Sequence, residues 1–121
     1  MRKITSSNTI NKQKLETVCG MAYTASVLGG RWKISILGYL LDNGRMRYSQ
    51  LKKTIPNISE RMLIAQLKEL ESDGLVNRIS YPEVPPRVEY ELTEKGQSLK
   101  IILIKMSEWG EKYRAVLEEV L

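Results

Sequence analysis

The residues best suited to chemistry lie on one face of a predicted helix that begins at Ser59 and ends at Gly74. Serine is a favoured N-cap because its hydroxyl satisfies an otherwise unpaired backbone N–H group, and glycine readily closes a helix. Successive helical residues lie about 100° apart, which gathers small and basic side chains on one face, with Met62 at its edge: Arg61, Ala65, Lys68 and Ser72. Such a face can donate hydrogen bonds to bases and phosphates in a DNA groove.

The opposite face of this helix is apolar. Leu63, Leu67 and Leu70 recur at spacings of four and three residues, which places them on one side. An ordinary amphipathic helix with a solvated polar face has the same pattern and is commoner among proteins. The neighbouring segments must decide between the two interpretations.

A second predicted helix precedes this one, and a tight turn at Pro56 and Asn57 joins the two. Residues 48–74 therefore form a predicted helix-turn-helix, in which the second helix would read bases in the major groove. Three side chains of the first helix are predicted to position the DNA backbone: Ser49, Gln50 and Lys53.

After Gly74 the pattern changes from helical to alternating, which predicts strands over residues 75–81 and 87–92. The prolines of the intervening PEVPP sequence stiffen the loop between them. A helix-turn-helix followed by a hairpin is the element order of a winged helix. The predicted fold class is thus mainly α with a small β-hairpin wing (α+β), a winged helix-turn-helix dimerised through terminal helices.

Two arginines of the predicted wing, Arg78 and Arg87, are candidates for phosphate or minor-groove contact. The alternative is that they are solvated, or pair across the strands with Glu89 and Glu91. Arg87 is the stronger candidate of the two.

The segment from Thr93 to the C-terminus is predicted to form one helix, with Thr93 as its N-cap. Its apolar residues alternate steps of three and four, a heptad-type seam. We predict that these residues form a dimer interface: Leu99, Ile102, Met106, Trp109, Tyr113 and Val116. The alternative is a helix that lies along its own domain.

The chain is predicted to begin with a flexible basic tail over residues 1–16. One domain is predicted to follow over residues 17–121. Helices are predicted over residues 18–28 and 31–41, with a short strand over residues 45–47. Trp32 fits the apolar spacing of its helix and is predicted to anchor the core.

Length and charge bound the class of protein. A chain of 121 residues suits one domain with a real core. Residues 1–60 hold 10 Lys and Arg against 3 Asp and Glu, a net charge of +7, whereas residues 61–121 hold 9 against 11, a net charge of −2. This asymmetry favours a polyanionic partner, although a merely basic surface gives the same count. No membrane-spanning run or secretory h-region is present in the sequence, so we expect a cytoplasmic location and no membrane partner.

The residue types needed for most catalysis are missing from the sequence, which has one cysteine, Cys19, and no histidine. There is no Cys–His or Ser–His pair and no imidazole base. We therefore predict that the chain is not an enzyme and uses no cofactor or metal. An enzyme built on Cys19 is the weakest hypothesis, because no base is available to activate its thiol.

Three motifs together resemble the HxlR family of bacterial winged-helix transcriptional regulators, a MarR-like family. They are LGGRWKISILGYL, then RYSQLKKTIPNISERMLIAQLKELESDGLV, then YPEVPPRVEYELTEKG, and the resemblance covers residues 19 to about 113. It implies a homodimer on a pseudo-palindromic operator, with N- and C-terminal helices at the interface. It also implies a repressor or activator, and several members respond to electrophiles or oxidants.

Cys19 matches the position of a cysteine that recurs in this family just before the first helix, but Gly20 stands where proline is common. The resemblance implies a possible redox sensor at this position. A thiol near a helix N-terminus and among basic residues is expected to ionise more readily. With no second cysteine in the chain, oxidation would give an inter-subunit disulfide, a mixed disulfide or a sulfenic acid. The alternative is a buried, inert cysteine.

The sequence therefore predicts a sequence-specific regulator that binds double-stranded DNA as a homodimer, with no small-molecule effector identified. Ser59 would begin the recognition helix, and its base readers would be Arg61, Met62, Ala65 and Lys68. Arg61 is the best of them because arginine binds guanine at two points. The alternative is a winged-helix domain that binds a protein instead of DNA.

Overall fold

The computed structural model describes residues 19–120, with side chains described through Ala115. The predicted tail over residues 1–16 lies outside them. The described residues form six helices and three strands in the order α1 (Gly20–Leu28), α2 (Arg31–Asn43), β1 (Met46–Arg47), α3 (Tyr48–Thr54), α4 (Glu60–Ser72), β2 (Val76–Tyr81), β3 (Arg87–Leu92), α5 (Glu94–Gln97) and α6 (Lys100–Val120).

The three strands form one antiparallel sheet in the order β1-β3-β2. β2 and β3 pair along their whole length, from Val76 opposite Leu92 to Tyr81 opposite Arg87. β1 adds to the other edge of β3, with Met46 opposite Tyr90. This pairing connects the wing hairpin to the segment immediately before α3, so the sheet holds the wing beside the helix pair.

The core lies between α2, α4 and the inner face of the sheet. Alternation along β3 directs Tyr90 and Leu92 inward, where both are buried. The most deeply buried side chains belong to α2, α4, the middle of α3 and the start of β2: Ile36, Leu37, Leu40, Leu51, Leu63, Leu67, Leu70, Leu75 and Val76. The predicted apolar face of α4 is therefore the face that packs inward.

The structure confirms the predicted fold class of a mainly helical domain with a small β-hairpin wing. The helix predicted over residues 31–41 continues to Asn43, and Gly44 ends it at φ 74°. Asn57 in the turn of the helix pair has φ 65°, a left-handed conformation that asparagine tolerates better than most residues. No helix of the described residues is long and apolar enough to cross a membrane.

The C-terminal segment differs from the prediction, because it forms two helices instead of one. Thr93 caps α5 as predicted, accepting a hydrogen bond from the Gly96 N–H at 3.0 Å, but α5 ends at Gln97. Gly96 lies against the Leu75 carbonyl so closely that a Cβ atom there would be 2.3 Å from its oxygen. This contact with the chain leaving α4 fixes α5 in place, and α6 then begins at Lys100.

The break also corrects the assignment of Leu99 to the dimer surface. Leu99 lies between the two helices and is 8% exposed, as part of the chain's own core. Leu103, one turn further along, is buried in the same way. These two residues attach α6 to the domain, because both bury apolar surface in its core, although the heptad pattern placed Leu99 at the dimer interface.

Candidate nucleic-acid interface

Helix α4 presents one face to solvent and is fixed at its start by Ser59. The Ser59 hydroxyl accepts a hydrogen bond from the Met62 N–H at 3.0 Å, which confirms the predicted N-cap. Leu63, Leu67 and Leu70 are at most 1% exposed. Since these three residues point inward, the opposite face must point away from the domain.

That outer face carries the predicted base readers in an exposed arrangement: Arg61, Met62, Ala65 and Lys68. Neither Arg61 nor Lys68 forms an ion pair with any other described residue, so both cations are available to a ligand. Met62 is 39% exposed, and its sulfur accepts a hydrogen bond from the Gln66 amide at 3.4 Å. The face therefore combines donors with an apolar side chain, as base recognition requires.

Helix α3 places Ser49, Gln50 and Lys53 at exposed positions. The Gln50 side chain is already engaged locally, since its Oε1 atom accepts a hydrogen bond from the Arg47 N–H at 3.0 Å. This contact caps the start of α3 and leaves the amide N–H₂ group of Gln50 as the part that can donate to a phosphate.

The wing arginine Arg87 is held within the wing. Its guanidinium lies 3.9 Å from the centre of the Tyr81 ring and 3.1 Å from Glu83 Oε1. Its side chain is 27% exposed. The structure thus gives Arg87 contacts within the wing, of which only a pair with Glu89 was foreseen as the alternative to DNA contact, and part of the guanidinium surface is still open.

Glu89 stands at the centre of a charged cluster on the outer face of the sheet. Its carboxylate lies 3.9 Å from Arg45, 3.9 Å from Arg47 and 3.7 Å from Arg87, and it accepts a hydrogen bond from the Tyr81 hydroxyl at 3.1 Å. Arg45 also forms a shorter pair with Glu91 at 3.1 Å, and the Glu91 hydrogen bond raises the pKa of Arg45. The cluster connects the segment before α3 to the wing.

A groove of about 630 Å³ separates α4 from the wing, and several residues that line it were not among the predicted site residues. They include Tyr48 and Ile64, and the predicted wing candidate Arg78 also lines the groove. Ile64 is 39% exposed because it lies beside the reading face, a position that the helical spacing alone already implied. Burial raises the pKa of Tyr48, and the nearby Glu60 carboxylate adds to the shift.

Cys19 is exposed and free, at the N-cap position of α1. Its own carbonyl accepts the first hydrogen bond of the helix, from the Tyr23 N–H at 3.0 Å. The structure therefore contradicts the buried position of the alternative prediction. No cluster of metal-ligating side chains occurs within residues 19–115.

Helix α6 has a wide apolar surface that the described part of its own domain does not cover. Six of its apolar and aromatic residues are 42% exposed or more: Ile101, Ile102, Ile104, Met106, Trp109 and Tyr113. Tyr113 is 47% exposed, and its ring lies 5.0 Å from that of Trp109. The side chain of Val116 lies outside the described residues.

The helix pair, its exposed cationic face and the hairpin define a winged helix-turn-helix protein of the DNA-binding class. Residues 27–118 match the family described as HxlR-like helix-turn-helix. The chain belongs to this HxlR family of transcriptional regulators, which confirms the resemblance seen in the sequence, and it is not an enzyme.

Individual relatives agree with this assignment. The uncharacterized HTH-type transcriptional regulator YkvN of Bacillus subtilis (strain 168) is 53% identical over 95 residues, which cover 78% of this chain and 80% of that protein. YybR, another uncharacterized HTH-type regulator of the same organism, is 48% identical over 100 residues, covering 83% and 79%. The solved structure of the redox regulator HypR in its reduced form has a TM-score of 0.78 and 44% identity, covering 84% of this chain and 99% of that one.

Proposed function

We propose that this regulator binds a specific pseudo-palindromic operator as a homodimer. The observation that carries the proposal is the exposed outer face of α4, where Arg61 and Lys68 have no ion-pair partner among the described residues. A cation without an internal partner loses no internal contact when it binds a base or a phosphate, so the whole interaction is available to the complex.

In the proposed complex, Arg61 and Lys68 donate to base edges, whereas Met62 and Ala65 offer apolar surface to thymine methyl groups. The backbone contacts come from Ser49, Gln50 and Lys53 of α3 and from Arg87 of the wing. Ser59 accepts from its own helix and still has its hydroxyl proton to donate to a phosphate.

The proposed dimer forms through α6, whose exposed apolar residues would pack against those of a second copy. They are Ile102, Met106, Trp109 and Tyr113, with Val116 further along the helix. Contiguous apolar surface of this kind marks protein–protein contact sites. To bind two successive half-sites, such a dimer must hold two copies of α4 about 34–36 Å apart, one turn of DNA. Since the target is chromosomal DNA, we place the protein in the cytoplasm.

We further propose that Cys19 tunes this binding through its oxidation state. Cys19 is exposed at the start of α1, and the similar protein HypR is a redox regulator whose oxidised and reduced forms have both been solved. In the proposed reaction, two Cys19 thiols from two chains lose two protons and two electrons to an oxidant as one S–S bond forms. Diamide is a suitable oxidant, because it takes up both protons and both electrons.

The test of the proposed function is selection of a preferred duplex from a random DNA pool, followed by fluorescence anisotropy across a salt series. We expect a two-fold symmetric consensus, and a log Kd that rises steeply with log salt because bound phosphates release counterions. A protein that selects no sequence and shows no salt dependence would instead support the alternative of a winged helix that binds a protein.

A further inference from the structure

A single charged side chain is buried among residues 19–115, and it lies under the recognition helix. Lys33 of α2 is 6% exposed. Its Nζ atom lies 2.7 Å from Oε2 of Glu69 in α4, and the Glu69 side chain is 34% exposed. This ion pair connects the central helix of the core directly to the helix that carries the proposed base readers.

Stability alone is a poor reason for this ion pair. Removing an ammonium group from water carries a penalty that often cancels the attraction it gains, and apolar pairs of similar volume commonly do as well or better. What an ion pair adds is direction, because its atoms must meet within hydrogen-bond distance. The pair therefore restricts geometry more than it strengthens the fold.

The geometry it restricts is the rotation of α4 about its own axis. Leu63, Leu67 and Leu70 hold the helix by apolar contact, which is non-directional and tolerates small rotations. A helix with its side chains has a radius of about 5–6 Å, so a rotation of about 10° moves a side-chain tip by about 1 Å. That displacement exceeds the tolerance of a hydrogen bond to a base edge.

Glu69 is well placed to prevent such a rotation. It follows Lys68 directly, so the two side chains leave the helix about 100° apart. When Lys33 holds Glu69 on the core side, Lys68 and the rest of the outer face are held at a fixed angle toward solvent. The Ser59 cap fixes where α4 begins, but it does not reach the last turn of the helix, where this pair acts.

We propose that Lys33 is a positioning residue for operator recognition, acting through Glu69 on the orientation of α4. The proposal rests on the proposed function, because it requires that α4 reads bases. Lys33 itself touches no DNA in this arrangement. Its loss is expected to lower discrimination between operator and random DNA, while backbone binding persists.

The experiment compares three variants with the wild-type protein. Lys33→Met breaks the pair, and Lys33→Met with Glu69→Leu replaces it by an apolar contact. Lys100→Met is the control, since it removes the same charge from an exposed site at the start of α6. For each protein, Tm is measured, and Kd is measured for the selected operator and for a random duplex. Binding is measured at a temperature at which circular dichroism shows every variant folded.

We expect both Lys33 variants to lose about tenfold in the ratio of random to operator Kd, which is the size of one lost base contact. The double variant should recover Tm without recovering this ratio, because apolar contact restores burial but not direction. A double variant that regains both Tm and the ratio would assign the pair to folding alone and overturn the proposal, as would an unchanged ratio in Lys33→Met. If the wild-type protein itself selects no operator, the proposed function fails, and that result is distinct from either of these.

Discussion

At the scale of single residues, the cations near the sheet differ from those on the outer face of α4. Arg45, Arg47 and Arg87 surround Glu89 and are engaged within the domain. Arg61 and Lys68 have no such partner among the described residues. A DNA phosphate must compete with a carboxylate for the first group but not for the second, so we expect the second group to dominate recognition.

The substitution Arg61→Ala tests this expectation. Operator binding should weaken by about 1–3 kcal/mol, because a two-point contact with guanine is lost. Binding to random duplex should weaken less, since only one positive charge is removed. Lys100→Ala is the matched control, as it removes one charge away from α4. Equal losses on both duplexes would identify Arg61 as a phosphate contact instead of a base reader.

Cys19 gives a second prediction at this scale. Diamide treatment should change operator affinity of the wild-type protein and produce a disulfide-linked dimer on non-reducing gels. Cys19→Ser should abolish both effects because the chain has no other thiol. An unchanged diamide response of operator binding in Cys19→Ser would remove the redox proposal without affecting the DNA-binding proposal.

At the scale of elements, the junction between α4, β2 and α5 holds the recognition helix against the C-terminal part of the fold. The Thr93 hydroxyl donates to the Gly74 carbonyl at 2.6 Å, and Lys95 Nζ donates to the Asp73 carbonyl at 2.8 Å. Both contacts bind the end of α4 to the start of α5. The tight packing of Gly96 on Leu75 lies within the same junction.

We predict that Gly96→Ala destabilises the protein by about 1–3 kcal/mol, since the added methyl group must displace a backbone carbonyl. The expected signature is a lower midpoint of urea unfolding with little change in slope. Gly38→Ala is the control, because nothing lies within 4 Å of the added atom in the interior of α2. That change should instead stabilise the helix by about 0.5–1 kcal/mol. A Gly96→Ala protein as stable as wild type would contradict the close contact.

Helices and strands could be predicted from the sequence where only the spacing and propensity of neighbouring residues determine them. The Ser59 cap, the inward leucines of α4 and the strand Arg87–Leu92 depend on spacing and propensity, and the structure confirms all three. The break between Gln97 and Lys100 follows Gly96, which packs against Leu75, a residue far away in sequence. Local patterns carry no information about such contacts, so the single long helix was wrong.

The same distinction between local patterns and long-range contacts applies to the proposed DNA-binding site. Helical spacing identified the exposed reading face, including Arg61, because one apolar face implies one polar face. Glu89 was foreseen as a partner of Arg87 only as an alternative, and its contacts with Glu83 and Tyr81 were not foreseen, since strand patterns do not say which side chains meet. The Lys33–Glu69 pair joins residues of two separate helices, and no short-range pattern indicates it.

At the scale of the whole molecule, charge and apolar surface are separated. The reading face lies on α4, whereas the exposed apolar residues lie along α6, a helix of 21 residues and thus about 30 Å long. The proposed DNA contact and the proposed dimer contact therefore use separate surfaces, so that neither would block the other.

We predict that Trp109→Glu weakens the proposed dimer, since it places a charge where an aromatic side chain is 68% exposed in the single chain. Sedimentation velocity should show half the wild-type mass, and operator affinity should fall because two linked α4 helices become independent. Glu111→Gln is the control, two residues further on and about 200° around the helix. A Trp109→Glu protein that sediments like wild type would place the dimer contact elsewhere.

The separation of the two faces of α4 has a consequence for how this protein can diversify. The inner face is buried in the core, whereas the side chains of Arg61, Ala65 and Lys68 are exposed. Exposed substitutions usually change stability by less than about 0.5 kcal/mol. Duplicated copies of such a regulator can therefore acquire new operators by drift at these positions, each step passing through a folded protein.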